Sequence, residues 1–427
     1  MSSSGRKKAI LVIITILILI AIAATIFFVL RAKGFFQDEE LPSPKWQFAG
    51  SAQSADDELV VAGDRSDKLE SRLLKLCETE YGLAAWYRLP VRSEELPAER
   101  SVRFNSSDQL LYGRFLAEQK RMDEFDDWHI RFKRHYIYDN KTVAYIEINE
   151  QSELVPAAAS FETMFDYISV LMTAYQSKPQ KNIWQEIESL SDILLTDFAD
   201  GIPEPDLQLA IPTVAPAPDP AATPTPIPVI TPTPEPAPVY SLIRLASIDL
   251  QTINQLTEVD QKWQVIYEKW LAIVSDGLIS EQLPLYALAV WPDMNNYLNF
   301  VGEGGSVDSM ESIITTLHLA QAGAADQSSL RWINDQLLNN FVIYDAYNII
   351  QGHPMAQIEN PSIYGLTARL GRVLNDKTLY DKSINRLNWH TATSQRSDAL
   401  DAIFRQDEND VVTIWAEDNL RALLAYK

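Results

Sequence analysis

The sequence predicts an all-α fold, and three observations predict it. Apolar residues recur at helical spacing in one segment after another, opened by capping residues and closed by Gly or polar turns. Alternation with period two, the mark of a half-buried strand, is confined to a short run at residues 142–148. About a dozen helices separated by short polar loops suit an (α/α)6 barrel, in which six helical hairpins share one core. No 34-residue repeat with a Trp-x-x-Leu-Gly pattern is present, which argues against an open helical solenoid.

The chain begins with an apolar run. Ala9 to Leu30 is 22 residues without a charge, between Arg6, Lys7 and Lys8 on one side and Arg31 and Lys33 on the other. A helix of that length reaches about 33 Å, enough to cross a bilayer core. Ala21-Ile-Ala23 imitates a signal-peptidase site, but the apolar run continues to Leu30, so residues 9–30 read as an uncleaved transmembrane signal anchor. The basic residues near its two ends are almost balanced. Orientation therefore rests on the short tail, residues 1–8, staying in the cytoplasm while the large acidic body is exported. Residues 31–50 form a stalk, in which Asp38-Glu39-Glu40, Pro42 and Pro44 oppose a continued helix.

Residues 51–201 carry the first set of helices. Asp67 to Tyr81 is amphipathic, with Ser66 as cap and Gly82 at its end, and Cys77 shares its apolar face with Leu69, Leu73 and Leu74. The expectation for Cys77 is a buried, inert thiol. Arg88 to Phe104 reads as a loop. Ser106 followed three residues later by Gln109 is a capping box, and Leu110, Leu111, Phe115 and Leu116 give the face of the helix it opens. Glu124 to Tyr136 is a further helix, 142–148 a hairpin arm, and two helices follow near Ser160 to Tyr175 and Asn182 to Phe198.

Between residues 202 and 240 the composition changes: 13 of the 23 prolines fall there, with no Lys, Arg or Gly. Such a segment is an extended, polyproline-like spacer without a packed core. The part before it holds only about five helices, half a ring with an uncovered apolar face. The spacer therefore reads as a disordered insertion within one barrel rather than a linker between two domains. Residues 241–427 supply the second half: Leu256 to Ser275, Asp308 to Gln321 stopped by Gly323, Pro361 to Val373 capped by Asn360, Ser397 to Phe404, and Val412 to Tyr426.

Composition narrows the chemistry. A net charge of -22 over 427 residues opposes nucleic acid and anionic surfaces as partners, because phosphate binding needs clustered Lys and Arg. One cysteine excludes a disulfide framework and a multi-Cys metal site. There is no Gly-x-Ser-x-Gly elbow, no phosphate loop with Lys and no His-Glu-x-x-His. Gly302-Glu-Gly-Gly-Ser306 lacks a preceding strand and a lysine and reads as a rim loop. The five histidines are scattered, so neither cofactor nor metal is expected. Carboxylates and aromatics remain, which is what glycoside cleavage uses.

Three stretches point the same way. Ser107-Asp108-x-x-x-Tyr112-Gly113 resembles the Ser-Glu-Gly-x-x-Tyr-Gly signature of glycoside hydrolase family 8. Ser160-Phe-Glu162-Thr-Met-Phe-Asp166 is similar to that family's Ser-x-x-Asp-x-Asp-x-Asp helix start, and Val307-Asp308-Ser-Met-Glu311 to its Tyr-Asp-Ala-x-Arg segment. The resemblance implies an (α/α)6 barrel and endo-acting, inverting hydrolysis of an exopolysaccharide or cell-wall β-glycan. It makes Asp108 the general acid, Asp308 the general base and Glu162 the carboxylate of the central subsite, with Glu303 and Glu311 as alternative acids. Tyr112 and Trp291, with Trp46, Trp86 and Tyr297, become candidates for stacking on sugar faces. Since the family includes the cellulase of bacterial cellulose operons, it also implies the exopolysaccharide synthesis machinery as a partner.

The departures support an alternative, a catalytically impaired glycan-binding or surface-interaction pseudo-enzyme. Asp in place of Glu withdraws the carboxyl, and misplacement by about 1 Å can cost a hundredfold in rate. The helix dipole is expected to lower the pKa of Asp108, whereas a general acid needs it raised. Glu311 stands where the family has Arg, and Val307 where it has Tyr.

Overall fold

Among the described residues, six of the helices are buried on most faces and six on one face only, and that difference sorts them into two layers. The computed structural model describes residues 41–50, 59–61, 63–90, 98–198, 201–210, 239–300, 304–407 and 411–427, together with Thr25. Residues 45–427 form one compact unit, separate from residues 1–44. Among the described residues its helices are α1 (Arg65–Cys77), α2 (Ser106–Glu118), α3 (Met122–Tyr136), α4 (Phe161–Ser177), α5 (Lys181–Asp197) and α6 (Leu250–Leu256). After them come α7 (Trp263–Asp276), α8 (Ser309–Gln321), α9 (Gln327–Asp335), α10 (Pro361–Leu374), α11 (Lys377–Trp389) and α12 (Ala416–Tyr426).

The even-numbered helices pack in order, α2 on α4, then α6, α8, α10 and α12, and α12 returns to α2. That is a closed inner ring. Outside it, α3 packs on α2, α5 on α4, α7 on α6, α11 on α10 and α1 on α12. Burial follows the layers. Helix α10 is buried on every face from Pro361 to Arg372, whereas α11 buries Leu379, Tyr380, Ser383, Ile384 and Leu387, a stripe. Two glycines permit the closest approaches. A Cβ at Gly113 of α2 would lie 2.4 Å from the Trp128 ring of α3, and one at Gly365 of α10 would lie 2.9 Å from the Arg421 backbone of α12.

The all-α expectation omitted a set of short antiparallel ladders at the starts of the inner helices. Strand β1 (Arg103–Asn105) runs into α2 and pairs with Tyr145–Ile148. Strands β2 (Leu207–Ala210) and β3 (Val239–Arg244) pair with each other, Ala210 opposite Val239. Strand β4 (Ser306–Asp308) leads into α8, and β5 (Val411–Trp415) leads into α12 and pairs with Trp86–Pro90. Each ladder gives the backbone of a helix entry hydrogen bonds that a loop would leave to water. Residues 211–238, Glu303 and, apart from Thr25, the anchor at 9–30 lie outside the described residues.

Several boundaries differ from the sequence reading. The N-cap of α2 is Asn105, one residue earlier than expected. Ser106 Oγ instead donates to Val143 O at 2.5 Å, and the Gln109 amide accepts from Leu83 N at 2.8 Å and donates to Leu83 O at 2.9 Å. Tertiary partners displaced the local capping box. The expected helix from Leu256 to Ser275 is broken between α6 and α7 by a turn in which Asp260 Oδ1 accepts from Lys262 N. Ser397 to Phe404 is turns, held where Ala392 N donates to Ala402 O and Asp401 N to Ala392 O. Residues 411–415 are strand before α12 begins. Helices α9 and α11 went unanticipated. Cys77 is fully buried, and burial pushes its thiol up to about 12.

Candidate active site

The first turns of the inner helices meet. Ser362 at the start of α10 donates to Asp418 of α12 at 2.6 Å, and Arg405 bridges Asp418 and the α10 cap Asn360. On the other side of the ring, β3 ends in Arg244, whose guanidinium joins α4 to α8. Its Nη1 donates to Glu311 Oε1 at 3.0 Å, its Nε to Asp206 Oδ2 at 3.1 Å, and its Nη2 to Glu162 Oε2. Asp206 is fixed in turn by Arg244 N at 2.8 Å and Ser247 Oγ at 2.5 Å. Burial works against the Arg244 charge, but Glu162, Glu311 and Asp206 raise its pKa overall. One cation faces three carboxylates, and the surplus is negative.

Burial, with that surplus added, sets the acids. Burial pushes Glu311 up to about 7, with Glu162 and Asp308 adding to the effect and Arg244 opposing it. Its Oε2 is buried with no hydrogen-bond partner among the described residues. Asp308 caps α8, accepting from Glu311 N at 2.9 Å, and its side chain reaches solvent. The protein around it raises its pKa, helped by Asp345, while the Glu311 and Met310 N–H groups hold it down. One turn along α4 from Glu162, Asp166 is pushed up to about 7, by burial first and then by Glu162. A buried carboxylate beside another carboxylate keeps its proton to higher pH.

Inside the ring below these groups is a cavity of about 90 Å³, lined among others by Glu162, Asp166, Asp249 and His318 and by Arg114 and Arg369. It has room for a few waters, well short of the 300–1,000 Å³ usual for ligand pockets. Burial lowers the His318 pKa and keeps the imidazole neutral. The carboxylate of Asp308 is exposed above this level. Among the described residues no group of His, Cys, Asp and Glu has the arrangement of a metal site.

The structure brings Glu162, Asp308 and Glu311 together and places Asp108 elsewhere. Asp108 is 1% exposed, on a different face of α2 from Ser107, Leu111 and Arg114, which line the cavity. Its Oδ2 accepts from Asn105 Nδ2 at 3.0 Å, and its Oδ1 has no partner among the described residues. Burial raises its pKa well above the usual carboxylate range, with Glu417 adding and Asn105 opposing. The expected lowering by the helix dipole is overridden, because desolvation of a buried charge outweighs a terminal dipole worth about 1 kcal/mol.

The motif around Asp108 has a packing explanation. Tyr112 is buried, donates its hydroxyl to Glu70 at 2.9 Å and stacks on Phe115, and Gly113 makes room for Trp128. Trp46 is also core, stacked on Trp184, with Nε1 donating to Gln255 O at 3.0 Å. Trp86 lies in the β5 ladder under Arg88. Tyr297 spends its hydroxyl on Ile273 O. Trp291 is half-buried against Tyr240 and follows Val290, which pairs with Ile243, the neighbour of Arg244. It is the aromatic candidate beside the cluster. The residue that sequence reasoning missed is Arg244. One signal was available: it is the first Lys or Arg after Lys181.

No protein-family model matches the chain, and no curated protein sequence matches it. Solved structures do. A structure described as a novel α-amylase from Clostridium perfringens aligns with TM-score 0.66 at 21% identity, over 86% of this chain and 99% of that one. PssZ from Listeria monocytogenes aligns with TM-score 0.56 at 10% identity, over 90% of this chain and 98% of that one. A cold-adapted family 8 xylanase aligns with TM-score 0.54 at 8% identity, over 89% of this chain and 93% of that one. At these identities the likeness is one of fold: the chain has the helical barrel of a family 8 xylanase and of that amylase.

Proposed function

We propose that this chain is a glycan-active, glycoside hydrolase-like protein that works on a polysaccharide over the first turns of α4 and α8. The observation that carries the proposal is the Glu162–Arg244–Glu311 bridge with Asp308 beside it. It sets two carboxyl groups with raised pKa values one helical turn apart, Glu311 half-buried and Asp308 exposed. Glu311, protonated up to about pH 7, gives its proton to the leaving glycosidic oxygen. Asp308 takes a proton from the water that attacks the anomeric carbon, so the C–O bond is replaced from the opposite face with inversion. Glu162 and Arg244 position the sugar and the acid.

A second reading, a glycan binder without turnover, is favoured by two features. Arg244 already pairs with both Glu162 and Glu311, and Asp108, the acid implied by resemblance, is sealed off. Reducing-end release from β-glucan, xylan and soluble starch separates the two. Hydrolysis that falls about 10²- to 10⁴-fold in Glu311→Gln and Asp308→Asn, and survives in Asp108→Asn, supports the first. Binding without any release supports the second. Release lost only in Asp108→Asn returns the acid role to that residue.

The remaining parts of the proposal concern setting. Residues 9–30 anchor the chain in the cell membrane, the body lies outside the cytoplasm, and the exopolysaccharide synthesis machinery is the partner. Cell fractionation with external protease tests this, and a body that resists protease in intact cells refutes it. The two flanks of residues 202–240 are halves of one barrel. The ladder between Ala210 and Val239 supports this, since the chain leaves and re-enters at one place. Cutting between residues 211 and 238 then leaves two fragments that co-elute and melt in one transition.

A further inference from the structure

Outside the ring, the end of α11 and the turn that follows α9 expose aromatic surface. Trp389, the last residue of α11, is 75% exposed, and Phe341 is 59% exposed. Phe341 follows a π-helical turn, Gln336–Asn340, and sits at φ +61. An aromatic side chain in left-handed backbone is unfavourable, and a π-helical turn is an uncommon interruption. Such features persist where the rest of the structure enforces them and often mark function. Here they hold an aromatic ring out in water.

Between the two rings lies a depression of about 360 Å³. Its floor is Leu337, and its wall is one face of α11: Lys382, Asn385 and Arg386, with Trp389 at the end. Those four positions follow helical spacing, so they form one continuous stripe. The Arg386 guanidinium lies 4.6 Å from the centre of the Trp389 ring, and Lys382 Nζ lies 5.7 Å from that of Phe341. The Asn385 side chain is exposed and makes no hydrogen bond among the described residues. The site combines two apolar rings with a rim of donors.

We infer that this depression is a second binding site for a neutral polysaccharide, with a sugar ring stacked on Trp389 and hydroxyls met by Asn385 and Lys382. Charge selects the ligand. Arg386 is already paired with Glu359, at 2.8 Å through Nε, so Lys382 is the one cation of the stripe without a carboxylate among the described residues. A chain of net charge -22 repels a polyanion, and a single lysine does not offset that. Place matters as well. Glu359 precedes α10 and contacts Arg386 and His390 at the far end of α11, so the platform stands at the end of the barrel where the inner helices begin. A glycan held there can run toward the carboxylate cluster. The inference concerns binding and stands whether or not the cluster hydrolyses.

The test is affinity electrophoresis and titration calorimetry of the soluble body with xylan, mixed-linkage β-glucan and soluble starch. Trp389→Ala is expected to weaken binding to at least one polymer about tenfold, Trp389→Phe less, and Asn385→Ala in the same direction. Because Trp389 is mostly exposed, its variants keep the wild-type melting temperature. Unchanged affinity in Trp389→Ala, or no polymer bound by the wild type, overturns the inference. Loss of self-association in Trp389→Ala without a change in glycan binding overturns it too, in favour of a second copy of the chain on this surface. Abolished hydrolysis in Glu311→Gln with Trp389-dependent binding intact separates this site from the cleft.

Discussion

Asp108 and Glu311 occupy the same place in two helices of one ring. Each is the third residue of an inner helix, and each has one carboxyl oxygen bonded and one buried without a partner among the described residues. In both, burial is the largest cause of a raised pKa. Their outlets differ. Asp108 is bonded to its own helix cap, Asn105, and lies against the first turn of α12, where Glu417 and Asp418 are its charged neighbours. Glu311 is bonded to Arg244, which arrives from a distant strand and brings Glu162 and Asp206 with it. Position in a helix sets the dipole that a carboxylate feels. What the other elements bring against it decides whether it is core or chemistry.

Removing Arg244 is the largest test of that contrast. Arg244→Met leaves Glu162, Glu311 and Asp206 crowded without a counter-charge. Stability is expected to fall by about 2 kcal/mol at pH 8, less than the 3–5 kcal/mol for a fully buried pair, because the guanidinium is partly exposed. The sign with pH follows from Glu311. Its pKa is raised in the fold, so its contribution is full below about pH 4.3, the unfolded value, and is lost as pH rises through about 7. Arg244 holds that pKa down, so in the variant the loss extends to higher pH, and any alkaline limb of activity moves up with it. Denaturant titrations at pH 5 and pH 8 read this, and equal losses at both would break the comparison.

A comparable effect is expected at the α2 end. Gly113→Ala drives a methyl group into the Trp128 ring and should cost about 1–3 kcal/mol, read as a lowered denaturation midpoint. A glycine needed only for a sugar contact would change affinity and leave stability alone. Smallest is Asp108→Asn. The raised Asp108 pKa makes its share of stability complete at low pH and lost as pH rises through the folded value. Wild type and variant should therefore differ little near pH 4, and by pH 8 the variant should gain on wild type by about 1 kcal/mol. A gap in melting temperature independent of pH would show that Asp108 does not titrate as a core acid.

What could be read from the sequence was local. Asn360 caps its helix as the sequence implies, and Ser160 and Asp308 cap the helices expected to begin at them, since a cap and its amide lie two or three residues apart. The capping box at Ser106 failed because Gln109 found Leu83, 26 residues away. The same distance rule hid the cluster. Arg244 is 82 residues from Glu162, 67 from Glu311 and 38 from Asp206, and no periodicity links such positions. Resemblance found the helix starts on which Glu162, Asp308 and Glu311 stand. It could not tell that Asp108, on an equivalent start, turns into the wall.

The pairing of Ala210 with Val239 has a consequence for the stretch between them. Two points of a chain fixed a strand's width apart have already met the entropy of closing the loop that joins them. Each further doubling of that loop costs only about 0.6 kcal/mol. The ring is thus nearly indifferent to how long the connection is. Shortening it to a tight turn, or splicing a reporter into it, should leave the melting temperature of the barrel within a few degrees of its starting value.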